Sequence, residues 1–96
     1  MPGYILGQIR ITEPALFERY REDLVPLVDR MGGRLRIANG AVEVLAGDPT
    51  TARVMLIGFP SRASASSFYD SPEYEPLEAL RVQATRGDLW LLEADA

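Results

Sequence analysis

The sequence predicts an α+β fold, a ferredoxin-like βαββαβ sandwich in which helices cover one face of an antiparallel sheet. Three observations predict it. A chain of 96 residues provides for one domain, residues 1–96, and no linker or repeat divides it. Its apolar patterns follow the order strand, helix, strand pair, helices, strand. Both faces of the predicted strands are apolar, which favours a second copy of the chain against the sheet.

The first strand is predicted over residues 4–11, where apolar residues recur at every second position. A helix follows, with Thr12 as its N-cap. Its apolar stripe has helical spacing and consists of Leu16, Tyr20, Leu24, Leu27, Val28 and Met31. Pro26 removes an amide donor, so we expect a kink or two short helices instead of one straight helix. Gly32 and Gly33 end the element.

Apolar residues compatible with strand continue over residues 34–46, on both sides of Asn39 and Gly40. This Asn-Gly pair either closes a two-residue hairpin or marks a bulge that bends one long strand at the sheet edge, and the sequence leaves both open. A turn is predicted over residues 47–49. The almost continuous apolar run over residues 53–59 then predicts a central strand.

The second half of the chain predicts two helices and a last strand. Ser61 is suited to cap a short helix over residues 62–69. A further helix is predicted over residues 73–85, with a regular part that begins late because of Pro76. A Gly-Asp pair is expected to end that helix before the last strand, which is predicted over residues 89–92.

The second apolar face of the sheet predicts a homodimer. Leu6, Val54 and Leu56 alternate with Ile5, Met55 and Ile57, and Leu89 and Leu91 alternate with Trp90 and Leu92. Back-to-back packing of two sheets would bury on the order of 2,000 Å², as in obligate dimers, and apolar burial stabilises by about 25 cal/mol per Å². The alternative is a monomer whose outer face is covered by residues 34–46.

Composition excludes several classes of function. The chain has no Cys, His or Lys, and all ten of its cations are Arg. It therefore lacks the side chains for Ser-His-Asp or Cys-His catalysis, for a zinc site, for haem ligation by His or Cys and for a Schiff base, so we expect no cofactor and no metal. A net charge of -4 argues against nucleic-acid and membrane partners. The start of the chain has no leader-like segment, which predicts a cytoplasmic protein.

Two stretches and a short motif resemble a known family. They are residues 67–81 (SFYDSPEYEPLEALR), residues 41–48 (AVEVLAGD) and Phe59, Pro60 and Ser61. They strongly resemble the family catalogued as domain of unknown function 1330, over nearly the whole chain. The resemblance implies a dimeric α/β barrel, two ferredoxin-like subunits joined through their sheets. Its superfamily includes cofactor-free quinone-forming monooxygenases, haem-degrading enzymes, chlorite dismutases, muconolactone-isomerase-like proteins and stress-induced proteins.

Tyrosines and arginines are the candidate ligand-binding residues. We expect Tyr20, Tyr69 and Tyr74 from the helices to surround one cleft with Arg34 and Arg81. Arginine offers a planar fork of donors to a carboxylate or enolate, and tyrosine offers a hydroxyl at the end of an apolar ring. A small acidic or phenolic ligand would suit them. The alternative is that each Tyr lies at the edge of the core and each Arg pairs with a carboxylate on the surface.

Glu43 is the candidate base, because it lies between apolar neighbours on a predicted strand. If it faces the cleft, burial would raise its pKa; if it faces solvent, it only discourages strand addition. The acids Glu73, Glu75 and Glu78 resemble a solvated helix face. Two functions are predicted: a small-molecule-binding homodimer that acts as a cofactor-independent monooxygenase or isomerase on a small aromatic or enolisable substrate, or a non-catalytic stress or interaction module with a filled interior.

Overall fold

A computed structural model describes residues 1–47 and 53–95 of the chain. Within these residues the chain forms one antiparallel sheet of strand order β2-β3-β1-β4, with the helices on one face. The elements are β1 (Gly3–Ile11), α1 (Pro14–Arg30), β2 (Arg34–Ala41), β3 (Arg53–Phe59), α2 (Arg62–Tyr69), α3 (Glu75–Ala84) and β4 (Thr85–Glu93). This confirms the predicted ferredoxin-like α+β fold.

Alternation along the central strands decides which side chains enter the core. Ile5, Ile9, Met55 and Ile57 are at most 4% exposed beneath the helices. Leu6 lies between them on β1 and points to the opposite face, because successive side chains of a strand point to opposite sides. The core between sheet and helices therefore uses one apolar set and leaves the other outside.

The start of α1 differs from the prediction that Thr12 caps it. The N-cap is Glu13, and no side chain caps the helix. The amides of Thr12 and Glu13 instead donate to the carbonyl oxygen of Ala84, at 2.8 and 3.2 Å. These bonds hold the start of α1 against the end of α3.

A single helix runs through Pro26, so the expectation of two short helices is wrong. Both Pro26 and Glu22, the residue whose carbonyl loses its donor, are exposed, and water can serve a carbonyl on that side. The predicted end is confirmed. Gly32 has a φ of 85°, and the amides of Gly32 and Gly33 donate to the carbonyls of Asp29 and Val28, which is a Schellman motif.

Asn39 and Gly40 lie inside β2, so the bulge alternative is correct and the hairpin alternative is not. The pairing of β2 with β3 shifts register between Leu35 and Ile37 and again between Ile37 and Gly40. The strand expected over residues 34–46 ends at Ala41, since Ala41 pairs with Arg53 where β3 begins. Residues 42–47 are exposed and not strand. Of the predicted turn over residues 47–49, residues 48 and 49 lie outside the described part.

The strand β3 and the helix α2 have the predicted bounds. Ser61 caps α2 as expected, and its hydroxyl accepts from the amide of Ser64 at 3.1 Å in a capping box. The last strand begins at Thr85, four residues before the predicted 89. Gly87 ends no helix: it lies in β4 with a φ of 135°, where a Cβ would collide with the carbonyl oxygen of Gln8.

The sheet presents an outer apolar surface on the side away from the helices, here called the open face. It is formed by Leu6, Ile37, Val54, Leu56, Trp90 and Leu92. Leu6 lies at its centre, paired with Leu56 on one side and Trp90 on the other. Trp90 is 46% exposed. Residues 34–41 form the edge strand β2, so this part of the chain extends the sheet instead of crossing it.

Candidate functional site

Four of the predicted ligand-binding residues come together in the helix layer: Tyr20, Tyr69, Tyr74 and Arg81. Tyr20 belongs to the buried stripe of α1, and Tyr74 lies in the turn that leads into α3. Their hydroxyl oxygens are 2.9 Å apart and share a hydrogen bond. Tyr20 and Tyr74 are 0% and 1% exposed. Two elements far apart in sequence are thus joined by a buried polar contact.

Aromatic packing fixes where these hydroxyls point. The ring of Tyr74 lies edge-on to Tyr20, with centroids 6.5 Å apart. It also packs against Phe68 at 5.1 Å and Tyr69 at 5.4 Å. Such tilted and edge-to-face contacts are the favoured geometries of aromatic pairs. The polar ends are therefore held in place by close-packed rings.

Glu78 connects Tyr69 to Arg81. The Tyr69 hydroxyl donates to Glu78 Oε1 at 3.0 Å, and Arg81 Nη2 lies 3.5 Å from the same oxygen. The Arg81 side chain is only 13% exposed, and its buried Nε has no hydrogen-bond partner among the residues that the structure describes. We call Tyr20, Tyr69, Tyr74, Glu78 and Arg81 the tyrosine–arginine cluster. It holds a buried cation with one donor to spare.

Burial and neighbouring groups keep the tyrosines of the cluster protonated. Burial and the adjacent Tyr74 raise the pKa of Tyr20 well above its usual value. Burial also raises the pKa of Tyr74, although the hydrogen bond from Tyr20 and the charge of Arg81 oppose it. Burial would lower the pKa of Arg81, but Tyr74 and Tyr20 outweigh it and the pKa is raised. The cluster thus offers hydrogen-bond donors and a permanent cation, not a tyrosinate base.

The raised pKa of Tyr20 predicts a loss of stability at high pH. An unfolded tyrosine loses its proton near pH 10, whereas folded Tyr20 keeps its own, so the unfolded state binds fewer protons. This contribution to stability is complete below pH 10 and is lost as pH rises toward the folded pKa, at about 1.4 kcal/mol per pH unit. Chemical denaturation from pH 8 to 11 measures it. The Tyr20→Phe variant should have a shallower slope, and an identical slope would contradict the assignment.

A small apolar pocket lies against Tyr69, between α2 and β4. Its lining residues are Ile5, Ser66, Tyr69, Leu89, Trp90 and Leu91, and its volume is about 160 Å³. A cavity of about 150 Å³ is large enough to bind benzene, so this pocket has room for one ring. Tyr69 is shared by the pocket and the tyrosine–arginine cluster. Arg81 itself lines a different cleft, with Val82, Thr85 and Arg86, so the pocket is connected to the Arg81 charge only through Tyr69 and Glu78.

Arg34 and Glu43, the other two predicted site residues, lie elsewhere. Arg34 lines a separate cleft with Tyr4 and Arg36, at the end of the sheet. Glu43 is exposed in the segment after β2, so the strand alternation that made it a candidate is absent. Its role as a base stays a prediction.

Glu78 is the cluster residue that the sequence analysis missed, because it was placed on a solvated helix face with Glu73 and Glu75. Those two are exposed, but Glu78 is partly buried. Tyr74, Glu78 and Arg81 follow one another at spacings of four and three residues, which places them on one face of a helix. That spacing is the feature of the sequence that indicates that Glu78 lies beside Tyr74 and Arg81.

The described residues hold neither a metal site of acidic side chains nor a membrane-spanning helix. No group of three or more acidic residues there comes close enough to hold a metal ion. None of the helices in residues 1–47 and 53–95 has the length and apolarity needed to cross a membrane.

Solved structures share this fold. The RPA0582 protein of unknown function from Rhodopseudomonas palustris has a TM-score of 0.75 and 23% identity, over 99% of this chain and 83% of that one. Rv0793 from Mycobacterium tuberculosis has a TM-score of 0.60 and 14% identity, over 100% and 97%. A "putative antibiotic biosynthesis monooxygenase" from Nitrosomonas europaea has a TM-score of 0.56 and 12% identity, over 96% and 89%. At these identities the likeness shows the fold alone.

Comparison at the level of sequence gives the family. No curated protein matches this chain. One family model matches it over residues 2–95, nearly its full length, and that model is described as a domain of unknown function. This agrees with the resemblance seen in residues 67–81. The chain belongs to the DUF1330 family.

Proposed function

We propose that this chain is a small-molecule-binding homodimer whose site takes a small aromatic or enolisable ligand. The ligand ring would occupy the pocket between α2 and β4, and its oxygen would lie toward the tyrosine–arginine cluster. The observation that carries the proposal is the buried charge of Arg81. Its side chain is 13% exposed, pairs with Glu78 at a long 3.5 Å and leaves Nε without a partner among the described residues.

A buried arginine without a close carboxylate is costly unless something compensates it, because desolvation of an ion in a protein costs several kcal/mol. An oxyanion on a bound ligand would supply that compensation. The tyrosine hydroxyls, which burial keeps protonated, would add neutral donors. Donors fixed in advance and aimed at a developing negative oxygen are the usual means by which proteins stabilise enolates and phenolates.

Two reactions share such an enolate or phenolate. In isomerisation, a carboxylate of the chain takes a proton from the carbon beside a carbonyl and returns it at another carbon. In cofactor-independent monooxygenation, a CH₂ carbon of the substrate becomes a carbonyl: dioxygen supplies its oxygen, and the second oxygen atom leaves as water with both hydrogens. The substrate supplies all the electrons, so a chain without Cys, His or Lys could carry out either. The fold shared with the Nitrosomonas europaea protein is compatible with the second reaction.

The homodimer part of the proposal is supported by the open face. Large apolar side chains stand there on the side of the sheet away from the helices, and Trp90, Leu92 and Ile37 are 46%, 39% and 39% exposed. Contiguous apolar patches of this kind usually mark an interaction surface. A second copy offers a matching surface, because a two-fold interface uses the same patch on both subunits. We therefore place the sheets of two copies against each other.

Binding of benzoate and phenol tests the site. Trp90 is the only tryptophan, and its position on β4 borders the pocket, so we follow its fluorescence as the ligand is added. We expect benzoate to bind the wild type and to lose about tenfold or more in affinity with Arg81→Gln, since a charge-assisted contact is worth about 1.5–3 kcal/mol. Phenol should lose less. Arg19→Gln, on the exposed side of α1, is the matched control. Equal affinity of all three proteins for benzoate would refute the site.

The filled-interior alternative has one observation in its favour. Tyr20, Tyr74 and Phe68 are at most 1% exposed and pack ring against ring, which is what a structural core would show. On that alternative the chain is a non-catalytic stress or interaction module, and the cluster serves only to join the helices. Neither benzoate nor phenol would then change the fluorescence of Trp90, and Arg81→Gln would alter only the free energy of unfolding.

A further inference from the structure

A second group of cations lies apart from the tyrosine–arginine cluster, where β1 and β2 begin and β3 ends. We call it the arginine cleft. Its lining residues are Pro2, Tyr4, Gly32, Gly33, Arg34, Arg36, Gly58, Phe59 and Pro60, and its volume is about 420 Å³. None of these lining residues is acidic. The cleft is therefore positively charged in a chain whose net charge is -4.

A bulge in β2 brings the two arginines together. Arg34 pairs with Gly58, and Ile37 already pairs with Leu56, so β2 has one residue more than β3 over this interval. A bulge of this kind redirects the side chain of the extra residue. The Nε of Arg36 comes within 3.6 Å of the position that a Cβ would take on Gly58. Arg34 and Arg36 thus both border the space above Gly58.

Gly58 forms a floor without a side chain. A Cβ there would lie 3.4 Å from the ring of Tyr4 as well as 3.6 Å from Arg36. Its φ is not in the left-handed region, so no backbone conformation requires a glycine at this position. The missing side chain leaves room between a phenol ring and a guanidinium group. That space is about the size of one methyl group, so one oxygen of a group bound in the cleft could reach the floor there.

Both arginines are available to a ligand. Neither the Arg34 side chain nor the Arg36 side chain forms an ion pair or a hydrogen bond with the part of the chain that the structure describes. The C-terminal end of α1 reaches the cleft at Gly32 and Gly33, and its negative pole of about half a charge opposes an anion. The two positive charges of Arg34 and Arg36 exceed this negative half charge, so the cleft still attracts an anion. The amides of Gly32 and Gly33 also donate to the carbonyls of Asp29 and Val28, which satisfies two of the carbonyls that produce this negative pole.

We propose that the arginine cleft is an anion-binding site for the doubly charged oxyanion group of a small molecule. Two guanidinium forks match the paired oxygens of such a group, and arginine is favoured wherever planar, two-pronged recognition of phosphate or carboxylate is needed. The phenol of Tyr4 stands on the same wall. The site shares no lining residue with the pocket at Trp90, so it does not depend on the ligand proposed there. Tyr4 and Gly58 lie on the same side of the sheet as Leu6 and Leu56, so in a sheet-to-sheet dimer the cleft has to stay open at the rim of the interface.

Titration with two simple dianions tests the proposal. Inorganic phosphate and malonate are added at constant ionic strength, with sodium chloride as the balancing salt, and the amide resonances are followed by NMR. We expect the amides of Gly33 and Gly58 to shift. Arg34→Gln and Arg36→Gln should each weaken binding about tenfold or more. Gly58→Ala, which keeps both charges but fills the floor, should weaken it as well. Arg21→Gln on the exposed side of α1 is the control.

Each result decides the matter. Binding of phosphate alone identifies a phosphate-bearing ligand, and binding of malonate alone identifies a dicarboxylate; both support the site. Shifts no larger than those caused by chloride would overturn it. So would binding that survives Arg34→Gln and Arg36→Gln, or binding that Gly58→Ala leaves unchanged. The amide spectrum of each variant shows directly whether it is folded.

Discussion

The Trp90→Glu variant should be a monomer at concentrations where the wild type is a dimer. Trp90 is 46% exposed on the open face, next to Leu6 at its centre. In a two-fold dimer the substitution removes two tryptophans and buries two carboxylates. Loss of a central Trp costs 2 kcal/mol or more, and an unpaired buried charge costs several more, so we expect the dissociation constant to rise about 1,000-fold or more.

Sedimentation velocity measures this directly, since the chain alone weighs 10.6 kDa. Val82→Glu is the matched control: it adds the same charge at an apolar residue that is 55% exposed on α3, in the helix layer. That variant should remain dimeric. A wild type that sediments as a monomer at micromolar concentration, or a Trp90→Glu variant that still sediments as a dimer, would contradict the sheet-to-sheet homodimer.

The open face and the proposed ligand pocket meet at Trp90. This residue pairs with Leu6 on the sheet and also lines the pocket. The pocket lies on the helix side of β4 and the Trp90 side chain lies on the open face, so a second copy would pack against the opposite side of the strand that forms this wall. The strand β4 is an edge strand of the sheet that residues 1–47 and 53–95 form, so within these residues nothing pairs with its outer side. Dimer formation and ligand affinity are thus expected to be coupled, and Trp90→Glu should weaken benzoate binding as well.

Elements governed by short-range rules could be predicted from the sequence. The continuous apolar run of β3 and the capping serine of α2 gave bounds that match the structure, because hydrophobic pattern and N-cap chemistry act locally. The end of α1 at Gly32 and Gly33 followed from the same kind of rule. Alternation also predicted the two apolar faces of the sheet.

Features that depend on distant partners could not be predicted in this way. Gly87 is predicted from the sequence to end a helix, but it lies in β4, where its place is fixed by the backbone of β1 beside it. The apolar residues after Ala41 have strand character, yet the register ends where β3 begins at Arg53. Thr12 looked like a cap, but its amide is satisfied by Ala84 from another helix. Local propensity is overridden when tertiary contacts supply the hydrogen bonds.

The candidate site shows the same division. Tyr20, Tyr69, Tyr74 and Arg81 were predicted as one group by residue chemistry, and the helices bring them together. The sequence analysis assigns Arg34 to the same cleft, but Arg34 lies where β2 begins, paired with Gly58, and the bulge that follows brings Arg36 beside it. A bulge is one extra residue in a pairing register. A single sequence does not reveal that register before the partner strand is known.

The shared hydrogen bond of Tyr20 and Tyr74 should give a double-mutant cycle with a large coupling energy. Their hydroxyls are 2.9 Å apart and buried, so removal of one leaves the other without this partner, at a cost of about 1–3 kcal/mol. We expect Tyr74→Phe to lower the free energy of unfolding more than Tyr20→Phe. When Tyr20 is changed, the Tyr74 hydroxyl keeps Arg81 as a neighbour. When Tyr74 is changed, the Tyr20 hydroxyl has no other hydrogen-bond partner among the described residues.

The double variant, Tyr20→Phe with Tyr74→Phe, shows whether the two hydroxyls stabilise the fold through each other. With both hydroxyls gone, no buried donor or acceptor is left unpaired between the rings, so its cost should be about 1 kcal/mol or more below the sum of the single costs. Tyr69→Phe, at a residue 36% exposed, is the control and should cost little. Urea denaturation at pH 7 measures the wild type, the two single variants, the double variant and the Tyr69→Phe control. Strictly additive costs would mean that the two hydroxyls do not bond to each other. Tyr20 and Tyr74 would then not be held as the fixed donors that the proposed ligand site needs.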